Sequence, residues 1–187
     1  MKAKHDIRQK LHLQLAELWR TTPELRHLAE KESDAKKYID TLAGDFTRGE
    51  FCFVPLITER LRLVCHLDVL FFRRDPVGAL ITKPKDVYGG DLDNRLKVFF
   101  DALRVPAVSE LPPNSAPEYH EQPYFYCLVQ DDSLITKFQV ESAQLLDRPR
   151  LRGLIADKGI KKHVRLVVKV TTRITSMTLE NMAFVTG

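Results

Sequence analysis

Residues 89–103, GGDLDNRLKVFFDAL, place two carboxylates and one lysine at spacings that suit phosphodiester chemistry. Asp91 and Asp93 lie two residues apart after a Gly-Gly turn, and Lys97 follows Asp93 by about one helical turn. Neighbouring carboxylates repel each other when both are ionised, unless a divalent cation or strong hydrogen bonds compensate. The stretch therefore predicts a cation site with an ammonium group beside it.

A helix that begins at Asp91 or Leu92 would have one apolar face and one charged face. Its apolar residues fall within one arc of roughly 100°: Leu92, Leu96, Phe99, Phe100 and Leu103. Asp93, Lys97 and Asp101 share the adjacent arc because they are four residues apart. We expect the apolar face to enter the core and the charged face to remain available for chemistry.

A second acidic pair follows a different apolar run. Asp131 and Asp132 come directly after YFYCLVQ, where a strand should end, and Ser133 precedes the next strand. Functional groups often collect where the strands of an open sheet end. Carboxylates from the two segments together would form an oxygen-rich site for Mg²⁺ or Mn²⁺. Such ions activate water and stabilise the attacking and leaving oxygens of a phosphodiester.

A purely structural explanation of the same residues stays open at this point. Aspartate near a helix N-terminus is favoured by capping and by the helix dipole. Asp93 and Lys97 could form a surface ion pair that contributes about 0.2–0.5 kcal/mol. Asp131, Asp132 and Ser133 are also ordinary turn residues.

Basic residues flank the acidic helix, and the chain has a formal net charge of +4. Lysine and arginine side chains that face phosphates supply most sequence-independent affinity for DNA. The candidates for DNA binding are Arg73, Arg74, Lys83, Lys85 and Arg95.

GDLDNRLKVFFDAL, taken together with QDDSLI, resembles the signature of the RusA-type Holliday junction resolvases. The resemblance covers about a third of the chain, roughly residues 60–74, 89–104, 125–141 and 163–173. It implies a divalent-metal-dependent endonuclease that cuts branched DNA and acts as a homodimer.

The resemblance also implies roles for individual residues. Asp91, Asp93 and Asp132 would be catalytic carboxylates that bind the metal ion, and Lys97 would be the catalytic lysine. Asp131 and Asp101 match further acidic positions, to which we assign supporting roles only.

Two segments depart from the pattern of that family. The connection at about 105–124 is much longer and contains Glu110, Glu118 and Glu121. Residues 1–47 replace a short proline-rich strand with predicted helices, in which Ile7, Leu11, Leu15, Leu18 and Trp19 form an apolar stripe.

The pattern of strands and helices predicts an α/β or α+β fold with a small mixed sheet and packed helices. Strands are expected around residues 51–56, 60–72, 124–130, 134–140 and 164–174, and in the second of these Leu61 to Phe71 alternate onto one face. We divide the chain into an N-terminal helical extension, 1–47, and a nuclease domain, 48–187.

Composition sets limits on the compartment and the partners. The three cysteines are far apart and lie in apolar runs, which favours free thiols in a reducing compartment. No apolar run of about 18 residues or signal-peptide pattern is present, so we predict a cytoplasmic protein without a membrane partner.

We therefore predict an endonuclease of branched DNA such as the four-way junction, acting in recombination and repair. Two alternatives remain. One is a nuclease without junction preference, and the other is a non-catalytic relative that binds DNA or protein.

Overall fold

The computed structural model describes residues 2–33, 36–73, 92–113, 115–144 and 165–184. Four α-helices lie in these residues: α1 (Lys2–Thr21), α2 (Pro23–Glu30), α3 (Tyr38–Asp45) and α4 (Leu92–Leu103). Pro23 occupies the first position of α2, as expected for a residue without a backbone N–H. None of the helices in these residues is both long and apolar enough to cross a membrane.

The strands among the described residues form two three-stranded sheets and one short antiparallel pair. The short pair consists of β1 (Glu32–Ser33) and β2 (Lys36–Lys37). The first sheet has the order β3–β4–β6 and consists of Thr47–Arg48, Phe51–Ile57 and Phe125–Val129. The second has the order β7–β5–β8 and consists of Ile135–Gln144, Leu63–Arg73 and Arg165–Ile174.

Both sheets are mixed. β4 pairs with β6 in parallel and with β3 antiparallel, while β5 pairs with β7 in parallel and with β8 antiparallel. Helices pack on these sheets, so the predicted α+β class with N-terminal helices is confirmed.

The alternation predicted for β5 is present. Leu61, Leu63, Cys65, Leu67 and Val69 are all buried. The residues that alternate with them, Val64, His66 and Asp68, are only partly buried. Successive side chains of a strand point to opposite faces, so one face of β5 lies in the core.

The N-terminal helices share one hydrophobic core with the sheets. Trp19, Leu25 and Leu42 belong to the same buried cluster as Val54 in β4 and Leu67 in β5. The structure therefore joins residues 1–47 to the rest through a continuous apolar core. The division of the chain into an extension and a nuclease domain stays a prediction.

The buried face of α1 differs from the predicted apolar stripe. Its buried residues lie three and four apart: His5, Arg8, His12, Leu15 and Trp19. Leu18 is 39% exposed, and Ile7 and Leu11 are only partly buried. The observed buried face therefore includes polar residues that the predicted stripe did not. Arg8 and His12 can lie there because each forms hydrogen bonds with the elements that cover it.

Candidate active site

Backbone pairing brings the end of α4 beside the end of β6. The N–H of Val105 donates to the carbonyl of Val129 at 3.2 Å, and Arg104 and Val129 form a parallel bridge. The N–H of Gln130 then donates to the carbonyl of Ile57 at 2.8 Å, which fixes the exit of β6 against β4. The acidic pair at 131–132 therefore emerges next to α4.

A short 3₁₀ helix, Asp132–Leu134, gives Asp131 and Asp132 different surroundings. Asp131 precedes it, and its Oδ1 accepts a hydrogen bond from the N–H of Ser133 at 3.0 Å. Hydrogen bonds from Ser133 hold the pKa of Asp131 below its ordinary value. Leu134 is buried and anchors the turn, while Asp132 is exposed.

A cavity of about 290 Å³ lies between α4 and this turn. Its lining residues come from both segments: Leu96, Lys97, Phe100, Asp101 and Asp132. The structure thus brings together Lys97 and Asp132, two predicted catalytic residues that are far apart in the chain.

Lys97 and the apolar residues of α4 lie largely as their spacing predicts. Lys97 is exposed, whereas Phe99 and Leu103 are buried. Phe100 is partly buried, and its ring meets Phe138 of β7 edge to face with centroids 5.1 Å apart. Packing of these rings against the core leaves the lysine side of the helix toward the cavity.

Asp101 is only 7% exposed, although it shares the predicted charged arc with the exposed Lys97. Its Oδ2 lies 2.6 Å from Nζ of Lys4, and its Oδ1 accepts a hydrogen bond from Arg104 at 3.1 Å. Glu110 completes this ionic cluster, with Oε1 2.9 Å from Nη2 of Arg104 and 3.6 Å from Nζ of Lys4. The end of α4 is covered by α1 and by the 105–124 connection, which explains the difference in exposure.

The ionisation state of Asp101 depends on the neighbouring cations, Lys4 and Arg104. Burial alone would raise its pKa, but hydrogen bonds from Lys4 and Arg104 outweigh burial and hold the pKa below its ordinary value. The carboxylate is therefore ionised and already paired on both oxygens.

The remaining predicted site residues lie wholly or partly outside the described residues. Asp93 and Arg95 belong to the first turns of α4 and Arg73 ends β5, but their side chains are not described. The other predicted residues lie outside altogether: Asp91, Arg74, Lys83 and Lys85. Their roles stay predictions.

The described side chains do not form a complete metal site by themselves. Within the part of the chain that the structure describes, no three histidine, cysteine, aspartate or glutamate residues are placed to hold a metal ion. Asp132 supplies one exposed carboxylate beside the cavity, and two further carboxylates would have to come from Asp91 and Asp93.

A larger cleft of about 720 Å³ lies away from this site, against the 105–124 connection. It brings together Glu50, Cys52, His120 and Glu121. The carboxylate of Glu121 is already engaged, because it accepts hydrogen bonds from Gln9 at 2.9 Å and from the N–H of Glu118 at 2.8 Å. The smaller cavity, which contains the lysine and the free carboxylate, is the better candidate for catalysis.

Sequence reasoning placed Arg104 among the basic residues that flank the acidic helix, but it did not predict the ionic cluster that joins Arg104 with Lys4, Glu110 and Asp101. The three-residue spacing of Asp101 and Arg104 is a signal for an ion pair within one helix face. Contacts of that carboxylate with Lys4 depend on how α1 packs, which no local pattern reveals.

No family model matches this chain, and neither a curated protein nor a solved structure shows significant similarity to it. The resemblance described above therefore depends on the motif residues alone.

Proposed function

We propose that this protein is a divalent-metal-dependent endonuclease that hydrolyses phosphodiesters in branched DNA, with four-way junctions as the principal substrate. One observation carries the proposal. Lys97 of α4 and Asp132 of the turn after β6, the lysine and one acid of the sequence signature, line the same cavity.

The donor chemistry of the proposed site suits Mg²⁺ or Mn²⁺. Asp132 is exposed and available, whereas Asp131 is used to cap its turn and supports the position of Asp132. Asp93 belongs to the first turn of the same helix that presents Lys97. Asp91, Asp93 and Asp132 would hold the ion, which when bound would activate water and neutralise phosphate charge.

Lys97 has a separate role in the proposal. An exposed ammonium group at the cavity can hold a non-bridging phosphate oxygen and stabilise the negative charge that grows there during hydrolysis. It can also orient the attacking water. Either role requires a fixed distance between α4 and the acidic turn.

The positive charge of the chain supports DNA as the binding partner. Basic residues that flank the acidic helix in the sequence would bind DNA backbones, namely Arg73, Arg74, Lys83, Lys85 and Arg95. We propose that a homodimer presents two such sites to the two strands of a junction. The three free cysteines, Cys52, Cys65 and Cys127, support a cytoplasmic location.

Cleavage of a labelled four-way junction, beside a linear duplex of the same arms, tests this function. We expect paired nicks in the junction with Mg²⁺ and none with EDTA. Asp132→Asn should lower the rate by at least about 100-fold, because a neutral amide is a poor ligand for a hard cation.

Asp6→Asn is the matched control, since Asp6 is an exposed aspartate on α1 that does not line the cavity. It should cleave like the wild type. Equal cutting of junction and duplex would indicate a nuclease without junction preference. Salt-sensitive binding without cleavage would indicate a non-catalytic DNA-binding protein and would contradict the proposal.

A further inference from the structure

α1 packs along α4, and the ion pair and the hydrogen bond that join the two helices in the described residues both end on Asp101. Nζ of Lys4 lies 2.6 Å from the carboxylate of Asp101, and Nη2 of Arg8 donates to the backbone carbonyl of the same residue at 2.7 Å. Asp101 follows Lys97 by four residues, so the two lie on one side of the helix about 6 Å apart along its axis. Both also line the cavity.

Arg8 is placed to cap the C-terminal end of α4. The last four carbonyls of a helix have no partner within the helix, and this end of the helix carries partial negative charge. Arg8 is 1% exposed, and its guanidinium supplies a donor and a positive charge at that end. Burying an arginine costs free energy, and this hydrogen bond offsets part of the cost, while Nε and Nη1 of Arg8 have no hydrogen-bond partner among the described residues.

α1 is also fixed by the 105–124 connection and by β6. Gln9 donates to Glu121 at 2.9 Å, and Lys4 reaches Glu110 at 3.6 Å. The ring of His12 bonds at 2.9 Å to the carbonyl of His120 and at 2.9 Å to the N–H of Tyr126. The helix therefore cannot shift along α4 without also breaking its contacts with the 105–124 connection and with β6.

We infer that α1 is a positioning element of the active site, in which Lys4 and Arg8 hold α4 at Asp101 and thereby set Lys97 against Asp132. The inference rests on the proposed function. Asp101 is a positioning residue in this arrangement, since Lys4 and Arg104 already occupy both of its carboxylate oxygens.

Lys4→Met and Asp101→Asn each remove the ion pair between α1 and α4 with little loss of side-chain volume. The matched control is Lys10→Met, because Lys10 is exposed on the same helix and forms no ion pair in the described part of the chain. Single-turnover cleavage and the Kd for a junction with Ca²⁺ in place of Mg²⁺ separate chemistry from binding. Urea denaturation establishes that each variant is folded under the assay conditions.

We expect a cleavage rate about 10-fold lower or more in both variants, because misplacement by 1 Å can cost about 100-fold. The Kd should stay unchanged, and Lys4→Arg should restore most of the rate. The double variant should be no slower than the slower single variant, since both changes break one contact. Wild-type rates in folded Lys4→Met, or a rate loss matched by an equal loss of affinity, would overturn the inference.

A second readout does not depend on cleavage. In isotope-labelled protein, the Cε and Hε chemical shifts of Lys97 should move in Lys4→Met and remain in place in Lys10→Met. If the wild type cuts no DNA, the proposed function fails, yet these chemical shifts still test whether α1 positions Lys97. Unchanged Lys97 shifts in Lys4→Met would show that α1 does not position this side chain.

Discussion

Asp131 and Asp132 are neighbours in the chain, yet their carboxylates have different surroundings. Asp131 is bonded to the N–H of Ser133, whereas Asp132 lines the cavity with Lys97. A carboxylate that already accepts a backbone hydrogen bond is held in place for structural reasons. Under the proposed function Asp132 is the neighbour that would bind the cation, so the roles of the pair would depend on the turn between β6 and β7.

Lys97→Ala should abolish junction cleavage and leave most binding intact. The ammonium group is proposed to act on phosphate charge at the reacting centre, where one such contact contributes about 100- to 1,000-fold to the rate. Rates of single-turnover cleavage and a Kd measured with Ca²⁺ give the two quantities separately. A variant that loses affinity as much as rate would make Lys97 a phosphate anchor instead.

At the scale of elements, α1 is joined to β6 and to the 105–124 connection by polar groups inside the protein. The N–H of Tyr126 donates to Nδ1 of His12, so the other ring nitrogen carries the hydrogen that is donated to His120. The imidazole is thus held neutral, and burial lowers the pKa of His12 below its ordinary value.

Stability should decrease as the pH falls from 7 to 5. The folded state disfavours protonation of His12, while the unfolded chain takes up the proton near pH 6.5. The stabilisation is therefore complete above pH 6.5 and is lost as the pH falls toward the lower pKa of the folded state. Burial also lowers the pKa of His5, which adds to the same effect.

Urea denaturation at several pH values measures this dependence. His12→Gln should show a smaller loss of unfolding free energy between pH 7 and pH 5 than the wild type. His27→Gln, at an exposed position of α2, is the control and should keep the wild-type slope. An unchanged slope in His12→Gln would show that this ring does not titrate on unfolding.

Local patterns predicted α4, β5 and β8, because apolar residues there repeat with the period of the element. They could not predict which face of α1 is buried, since His12 and Arg8 enter the interior only when partners more than 90 residues away are in place. The same limit applies to the site. The resemblance of the motif residues to the resolvase signature selected Lys97 and Asp132, whereas the pairing of Asp101 with Lys4 required the packed helices.

At the scale of the whole molecule, the shared core predicts a single cooperative unfolding transition. Trp19 is the only tryptophan of the chain, is 3% exposed and lies in the same apolar cluster as β5. Its fluorescence reports the N-terminal segment, while far-ultraviolet circular dichroism reports all elements. The two urea midpoints should coincide.

Leu13→Ala and Leu15→Ala provide matched controls for this experiment, since Leu13 is 54% exposed and Leu15 is 8% exposed. Leu15→Ala should cost about 2–5 kcal/mol of unfolding free energy and shift both midpoints together. Leu13→Ala should change them little. A fluorescence transition that precedes the dichroism transition would instead make residues 1–47 a separate unit.

The bond between His12 and Tyr126 also has a consequence for synthesis of the chain. The two residues are 114 positions apart, so at about 5–20 residues per second the ribosome needs about 6–23 s to make the second after the first. For most of this interval α1 is already complete, but β6, which carries Tyr126, has not yet been made. α1 is thus made long before β6, and until then Trp19 lacks the contact that it makes with Tyr126 in the folded protein.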